Sequence, residues 1–342
     1  MMPPASRVYP WLLAGAMVMT IACGPNDGAS VEPRLIATPF PALTGADPDA
    51  QRQLRDAYTA FTAATANRGA TPGALSAAYG DMGRLFMAAE LYEAAEPCLL
   101  NALALSPRDA RWSYFLAHLY RRTGALTKSA AYFEHTLTIQ PTNVPALWWL
   151  ATVYLAQGRP ADAEVRFSQA LALQPGALSA VFGLGRAALA RNDYAKAVEY
   201  LERVLAMNER AIAAHYPLGL AYRGLGQLDR AETHLAQRGH MEILPIDPLM
   251  NALDTLLQSV TAYQDRGMRA GLSGNWEEAA AQFRRAVELA PDNIEARLDL
   301  GHALLRTGDA AGAAAEAREA VRLAPNDPRA QSLARSLSAT IP

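Results

Sequence analysis

The chain has 342 residues, 51% of them hydrophobic but only 8% aromatic, a balance that points to an alanine-rich helical protein. Its formal net charge of -2 implies no global attraction to nucleic acid or to an anionic membrane. The basic residues are almost all Arg, with Lys only at Lys128 and Lys196, and Arg favours bidentate carboxylate pairing and aromatic stacking.

Residues 8–22, VYPWLLAGAMVMTIA, follow Arg7 and carry no charge. This run is shorter than the roughly 20 residues that a spanning helix needs, so a signal-peptide core fits better. It ends in Thr20-Ile21-Ala22-Cys23-Gly24. That ending resembles the lipobox of bacterial lipoproteins, in which a small residue precedes a Cys that is lipidated. Thr20 departs from the usual Leu of that family. The resemblance implies lipidation at Cys23; a plainly secreted protein and an uncleaved anchor are the other readings. Gly24 stands where an Asp would favour the inner membrane, which implies an outer-membrane lipoprotein facing the periplasm.

Residues 24–48 hold five prolines and three glycines without helical period. They read as an extended tether, with docking of Leu35, Ile36, Phe40 and Leu43 on the first helices as the alternative. A first helix is expected from about Pro48, capped by Asp47. Its apolar stripe is Leu54, Tyr58 and Phe61. It would cover the open end of the helical body behind it.

From residue 76 onward the chain is periodic. Pro107, Pro141 and Pro175 are 34 residues apart, as are Pro291 and Pro325. Within 144–177, Leu147, Leu150, Ala151, Tyr154, Gly158, Ala163, Phe167, Ala170 and Pro175 resemble the signature of the tetratricopeptide repeat. The same register fits seven segments, beginning at residues 76, 110, 144, 178, 212, 260 and 294. The resemblance implies an all-α solenoid of about seven helix-turn-helix repeats in a right-handed superhelix. Small residues at repeat positions 8, 20 and 27 let paired helices approach, large ones at 4, 7, 11 and 24 fill the space between neighbours, and a Gly at position 15 serves the turn.

The register breaks once, after repeat five. Position 32 of that repeat is Ile243, and the next in-register proline is Pro291, 48 residues on. Asp247-Pro248 looks like a new cap and first turn, from which a helix of about 25 residues is expected to run into repeat six. Two readings stay open for the insertion: a spacer, which is the one favoured, or a helix that lines or plugs the groove. The organisation expected is therefore a leader at 1–22, a tether at 23–47 and a capping helix at 48–68. Repeats one to five fill 72–245, the long helix and repeats six and seven fill 246–327, and a C-terminal cap closes 328–342.

No catalytic motif emerges. The six histidines form no H-E-x-x-H, and neither a P-loop nor a G-x-S-x-G is present. Cys98 reads as a small buried residue. No catalytic residue, metal ligand or cofactor is assigned. In the tetratricopeptide family, helix A positions 2, 5, 9, 12 and 13 line the concave groove. Carried over, they give Tyr114, Trp148, Phe182 and Tyr216 as an aromatic ladder. Beside it fall Arg84, Arg111, His118, Arg121, Arg122, Arg186 and Arg223. Such a surface suits an extended peptide, since aromatics give apolar contact and Arg pairs with carboxylates. The alternative is a ladder that packs in the core beside a solvated Arg face. The Asn and Lys of the family's carboxylate clamp are missing. The expected function is a non-catalytic, lipid-anchored scaffold that holds a protein or peptide partner in envelope assembly or secretion, with no nucleic acid partner. Polysaccharide binding, or service as an accessory subunit to a periplasmic enzyme, are the alternatives.

Overall fold

The computed structural model describes residues 33–44, 47–237, 239 and 243–338. The leader, Cys23 and the first part of the expected tether lie outside the described residues. Contacts divide the chain at Arg34, before which only Pro33 is also described; both are exposed. From Leu35 onward the chain forms one unit, all-helical among the described residues.

Helix α1 (Pro48–Ala66) starts where Asp47 accepts hydrogen bonds from the amides of Asp49 and Ala50. Its Leu54 and Phe61 are buried against α2 (Pro72–Ala88). Paired helices succeed it: α2 with α3 (Tyr92–Leu105), α4 (Ala110–Arg122) with α5 (Leu126–Ile139), and α6 (Val144–Ala156) with α7 (Pro160–Leu173). Next come α8 (Leu178–Ala190) with α9 (Tyr194–Met207), and α10 (His215–Gly224) with α11 (Leu228–Ala236). After α12 (Pro248–Asp254), the pairs resume with α13 (Val260–Leu272) and α14 (Trp276–Leu289), then α15 (Ile294–Thr307) and α16 (Ala310–Leu323). Helix α17 (Pro328–Ser338) closes the last pair, burying Ala330, Leu333 and Leu337.

The pairing follows from size at two positions. A Cβ on Gly185 would stand 2.7 Å from Leu201 of the partner helix, so the glycine makes the room that the leucine fills. In the second repeat Ser129 replaces the usual alanine, and its buried hydroxyl donates to the Ala117 carbonyl at 2.8 Å. Five of the turns between paired helices place a glycine at positive φ, Gly124 among them at 77°. In the other two, Glu90 and Asn192 adopt the same left-handed conformation at 59°.

Three expectations change. The segment from Leu35 is not a free tether. The Asn101 side chain grips Ile36 twice, accepting from its amide at 2.7 Å and donating to its carbonyl at 2.8 Å. Phe40 and Leu43 pack on the first core, and Tyr58 donates to the Thr38 carbonyl at 2.8 Å. Nor does one long helix enter repeat six. Helix α12 stops at Asp254, and Ser259 caps α13 by accepting from the amide of Ala262. Side chains take the carbonyls at the corner: Arg266 donates to those of Asp254 and Leu257, and Gln53 to that of Leu256. With those acceptors satisfied from outside, nothing drives the helix to continue. Finally, the insertion is not a spacer. Met250 and Leu253 of α12 belong to the same core cluster as Leu54 and Phe115, with Trp149 packed against it, so the insertion packs on the first repeats, α2 among them. Repeats six and seven, with α17, have a core of their own around Phe283, Leu300 and Leu333.

Candidate functional site

The site forms where α4, α6 and α8 face the segment 243–254. In α4, Asp109 caps the helix and holds Arg111, so the next turns carry Tyr114 and His118 inward. In α6, Asn143 caps the start and Pro145 lies in the first turn, which sets the phase of Trp148 and Trp149. A single residue of phase separates their fates.

At the centre is the Asp247 carboxylate, buried although it belongs to a connecting segment. Its Oδ2 accepts from the Tyr114 hydroxyl at 2.5 Å and from the Trp149 indole nitrogen at 2.9 Å, while Oδ1 accepts from the Met250 amide at 3.1 Å. Three donors thus converge on one carboxylate, tying two helices and the segment together. Burial above all, together with the Asp247 charge, raises the Tyr114 phenol well above its ordinary value and keeps it a donor. Above Trp149 the Arg121 guanidinium stacks at 4.2 Å from the ring centroid.

His118 stands beside this carboxylate with its Nε2 3.9 Å from Asp247 Oδ2. Its ring is wholly buried between Tyr114, Phe133 and Trp149, with centroids 4.7, 5.1 and 5.0 Å away. Burial first, then the charges of Arg121 and Arg122, hold its pKa well below the ordinary histidine value. It is therefore a neutral ring at physiological pH, and neither ring nitrogen has a hydrogen-bond partner.

Next to the segment opens a cavity of about 360 Å³. Its walls include Trp148, Trp149 and Phe182, the arginines Arg121, Arg122 and Arg186, and from the segment Leu244, Asp247 and Asn251. Arg186 stands over the Phe182 ring at 5.9 Å. Apolar floor and cationic rim thus share one space.

The structure brings together Tyr114, His118, Arg121, Arg122, Trp148, Phe182 and Arg186, but not as a ladder open to solvent. Tyr114 and Phe182 are buried, and Trp148 is 3% exposed because its indole donates to the Ser179 carbonyl of the next repeat at 3.0 Å. Its neighbour Trp149 is the one that turns to Asp247. Tyr216 is 48% exposed and apart from the cluster, and Arg223 lies on the α10–α11 face with Leu228 and Glu232. Arg84 pairs with Asp81 on its own helix, and Arg111 folds back on its cap Asp109 and over Trp112. Arg122 reaches Glu90 at 3.8 Å. Sequence reasoning missed Trp149, Asp247, Met250 and Leu253. A signal for them was present: repeat position 7 is Met82, Leu116, Leu150, Leu184, Leu218 and Leu300 in the other repeats, but Arg266 in repeat six. A guanidinium there seeks polar partners, and it finds them in Gln282 and the carbonyls of Asp254 and Leu257.

Cys98 is a buried free thiol pushed up to about 12 by burial, which leaves it unreactive. Among the described residues no group of three or more His, Cys, Asp or Glu could hold a metal ion. No described helix is long and apolar enough to cross a membrane.

Comparison with known proteins gives a consistent family. Family models of the tetratricopeptide repeat match residues 81–144, 150–211, 182–239 and 272–337. No curated protein matches the chain. Among solved structures, a tetratricopeptide repeat protein from Parabacteroides merdae is 16% identical, covering 77% of this chain and 98% of that one, with a TM-score of 0.45. A thermophilic repeat protein of Thermus thermophilus is 20% identical over 67% of this chain and 99% of its own, with a TM-score of 0.31. YrrB, described as having an unusual peptide-binding site, is 16% identical over 69% and 97%, with a TM-score of 0.33. On the repeat register and on the family models that match it, this chain belongs to the tetratricopeptide repeat family.

Proposed function

We propose that the chain is a non-catalytic scaffold, anchored through a lipid on Cys23 to the outer membrane and facing the periplasm, that binds an acidic extended segment of a protein partner during envelope assembly or secretion. Tetratricopeptide repeat proteins generally act as scaffolds in protein–protein interaction. The observation that carries the reading here is the cavity beside Asp247, where Phe182 and Trp149 form an apolar floor and Arg121, Arg122 and Arg186 a cationic rim. An acidic peptide satisfies both at once, with apolar side chains on the rings and carboxylates at the guanidiniums. Polysaccharide binding finds less support, because stacking along a sugar chain needs a row of open ring faces and Tyr114 and Trp148 are buried.

A displayed library of random peptides, selected on the purified chain, tests the groove. Acid-containing sequences should be enriched, and Arg186→Glu together with Arg121→Glu should weaken them at least tenfold. Selection of neutral sequences indifferent to both changes would overturn the reading. For the anchor, Cys23→Ser should move the protein from the membrane to the soluble fraction; continued membrane association would contradict lipidation.

A further inference from the structure

The segment that enters the groove buries an acid and exposes apolar side chains at its start. A stretch of hydrophobic core buries its Leu and Ile and exposes its acids. Here Asp247 is buried under Tyr114 and Trp149, while Leu244 is 49% and Ile246 87% exposed. The remaining grip comes from Met250 and Leu253, three and six residues after the aspartate, on one face of a seven-residue helix. So short a helix does not persist alone in water; the groove and the Asp247 cap hold it. Pro245 and Pro248 keep the approach to it extended. The segment is anchored at both ends, by Ile243 on the core of repeats four and five and by Gln53 of α1, which donates to the Leu256 carbonyl and accepts from the Gln258 amide. The 360 Å³ cavity alongside shows that the occupant does not fill the space offered.

We infer that 243–254 is a tethered internal ligand, occupying the place that a partner's segment of the same chemistry takes. That partner segment runs extended into an Asp-Pro step and then makes a helical turn with apolar side chains three and six residues after the Asp. The inference rests on the groove being a peptide site, as proposed above, and adds both the motif and the competitor. Tethering gives the internal copy an effective concentration of about a millimolar. An identical free segment at micromolar concentration therefore loses. A partner wins by adding contacts in the unfilled cavity, at Phe182 and Arg186, and its binding then releases the chain's own segment.

The test uses the full chain and a synthetic peptide of residues 243–257 carrying a fluorophore. In the chain, Asp247→Ala with Met250→Ala and Leu253→Ala loosens the segment while leaving the side chains of α4, α6 and α8 that face it unaltered; Asp247→Asn alone serves should the triple variant not fold. By anisotropy, the peptide should bind either variant at least tenfold more tightly than the unaltered chain. A peptide with Asp247→Asn should bind the variant at least tenfold more weakly than its parent. Equal binding to the altered and unaltered chains, with the variant shown folded by circular dichroism, would overturn the inference; so would indifference to the peptide's aspartate. Library peptides that depend on Arg186 would still bind in that event, which separates this failure from failure of the groove reading.

Discussion

Asp247 and His118 show how one residue's surroundings set its role. Among the described residues the aspartate's donors within hydrogen-bond distance are neutral, from Tyr114, Trp149 and the Met250 amide, while the histidine at 3.9 Å is kept neutral by burial and by Arg121 and Arg122. A histidine whose folded pKa lies below its unfolded value of 6.5 takes up protons more readily when unfolded. Stability is thus fully present above about pH 6.5 and falls as pH drops, with a limiting slope of about 1.4 kcal/mol per pH unit for one group. The groups facing the ring are Arg121 and Arg122 on α4 and Asp247 on the segment. Urea titrations between pH 7 and 5 should show the unaltered chain losing stability more steeply than His118→Phe; parallel curves would contradict a buried neutral His118. The repeat register made His118 legible as a groove position, but not its burial, because two of the rings that enclose it, Tyr114 and Trp149, are held by Asp247, more than a hundred residues away. The choice between Trp148 and Trp149 was illegible for a related reason. Both fit the helix, and only partners outside it, Ser179 and Asp247, decide which turns where.

At the scale of elements, regular repeats were readable because each position repeats one steric task, as Gly185 and Leu201 do. The break after α11 was readable only as a change in spacing. Arg266 explains its form. Its guanidinium donates to the Asp254 and Leu257 carbonyls, and its Nε donates to Gln282 at 3.0 Å, tying the end of α12 to α13 and α14. Arg266→Ala should cost about 2 kcal/mol, in line with hydrogen bonds made by a charged group. Hydrogen exchange should then quicken at the amides of 248–254 and stay unchanged in α15 and α16. An unchanged exchange rate in α12 would show that the corner does not hold the segment in place. A leucine at this position, as at Leu116, Leu150, Leu184, Leu218 and Leu300, would instead favour an uninterrupted stack.

Across the molecule the insertion changes what the concave surface is. Repeats one to three and the Leu35–Leu43 stretch share a core with α12, and repeats six and seven build a separate one. Sequence periodicity displays local stacking well, since each repeat contacts its neighbours. It is silent about a crossing such as that from Ile243 to Gln258, which no periodic position encodes. The central claim is that 243–254 lies in the groove of α4, α6 and α8. It is tested most directly by placing a benzoylphenylalanine photo-cross-linker at position 251, whose asparagine shares the cavity with Thr152, Phe182 and Arg186. Irradiation of the purified chain should give intramolecular links from 251 to peptides of 144–156 and 178–190, read by mass spectrometry. Links confined to 243–260, with none to α6 or α8, would contradict the account.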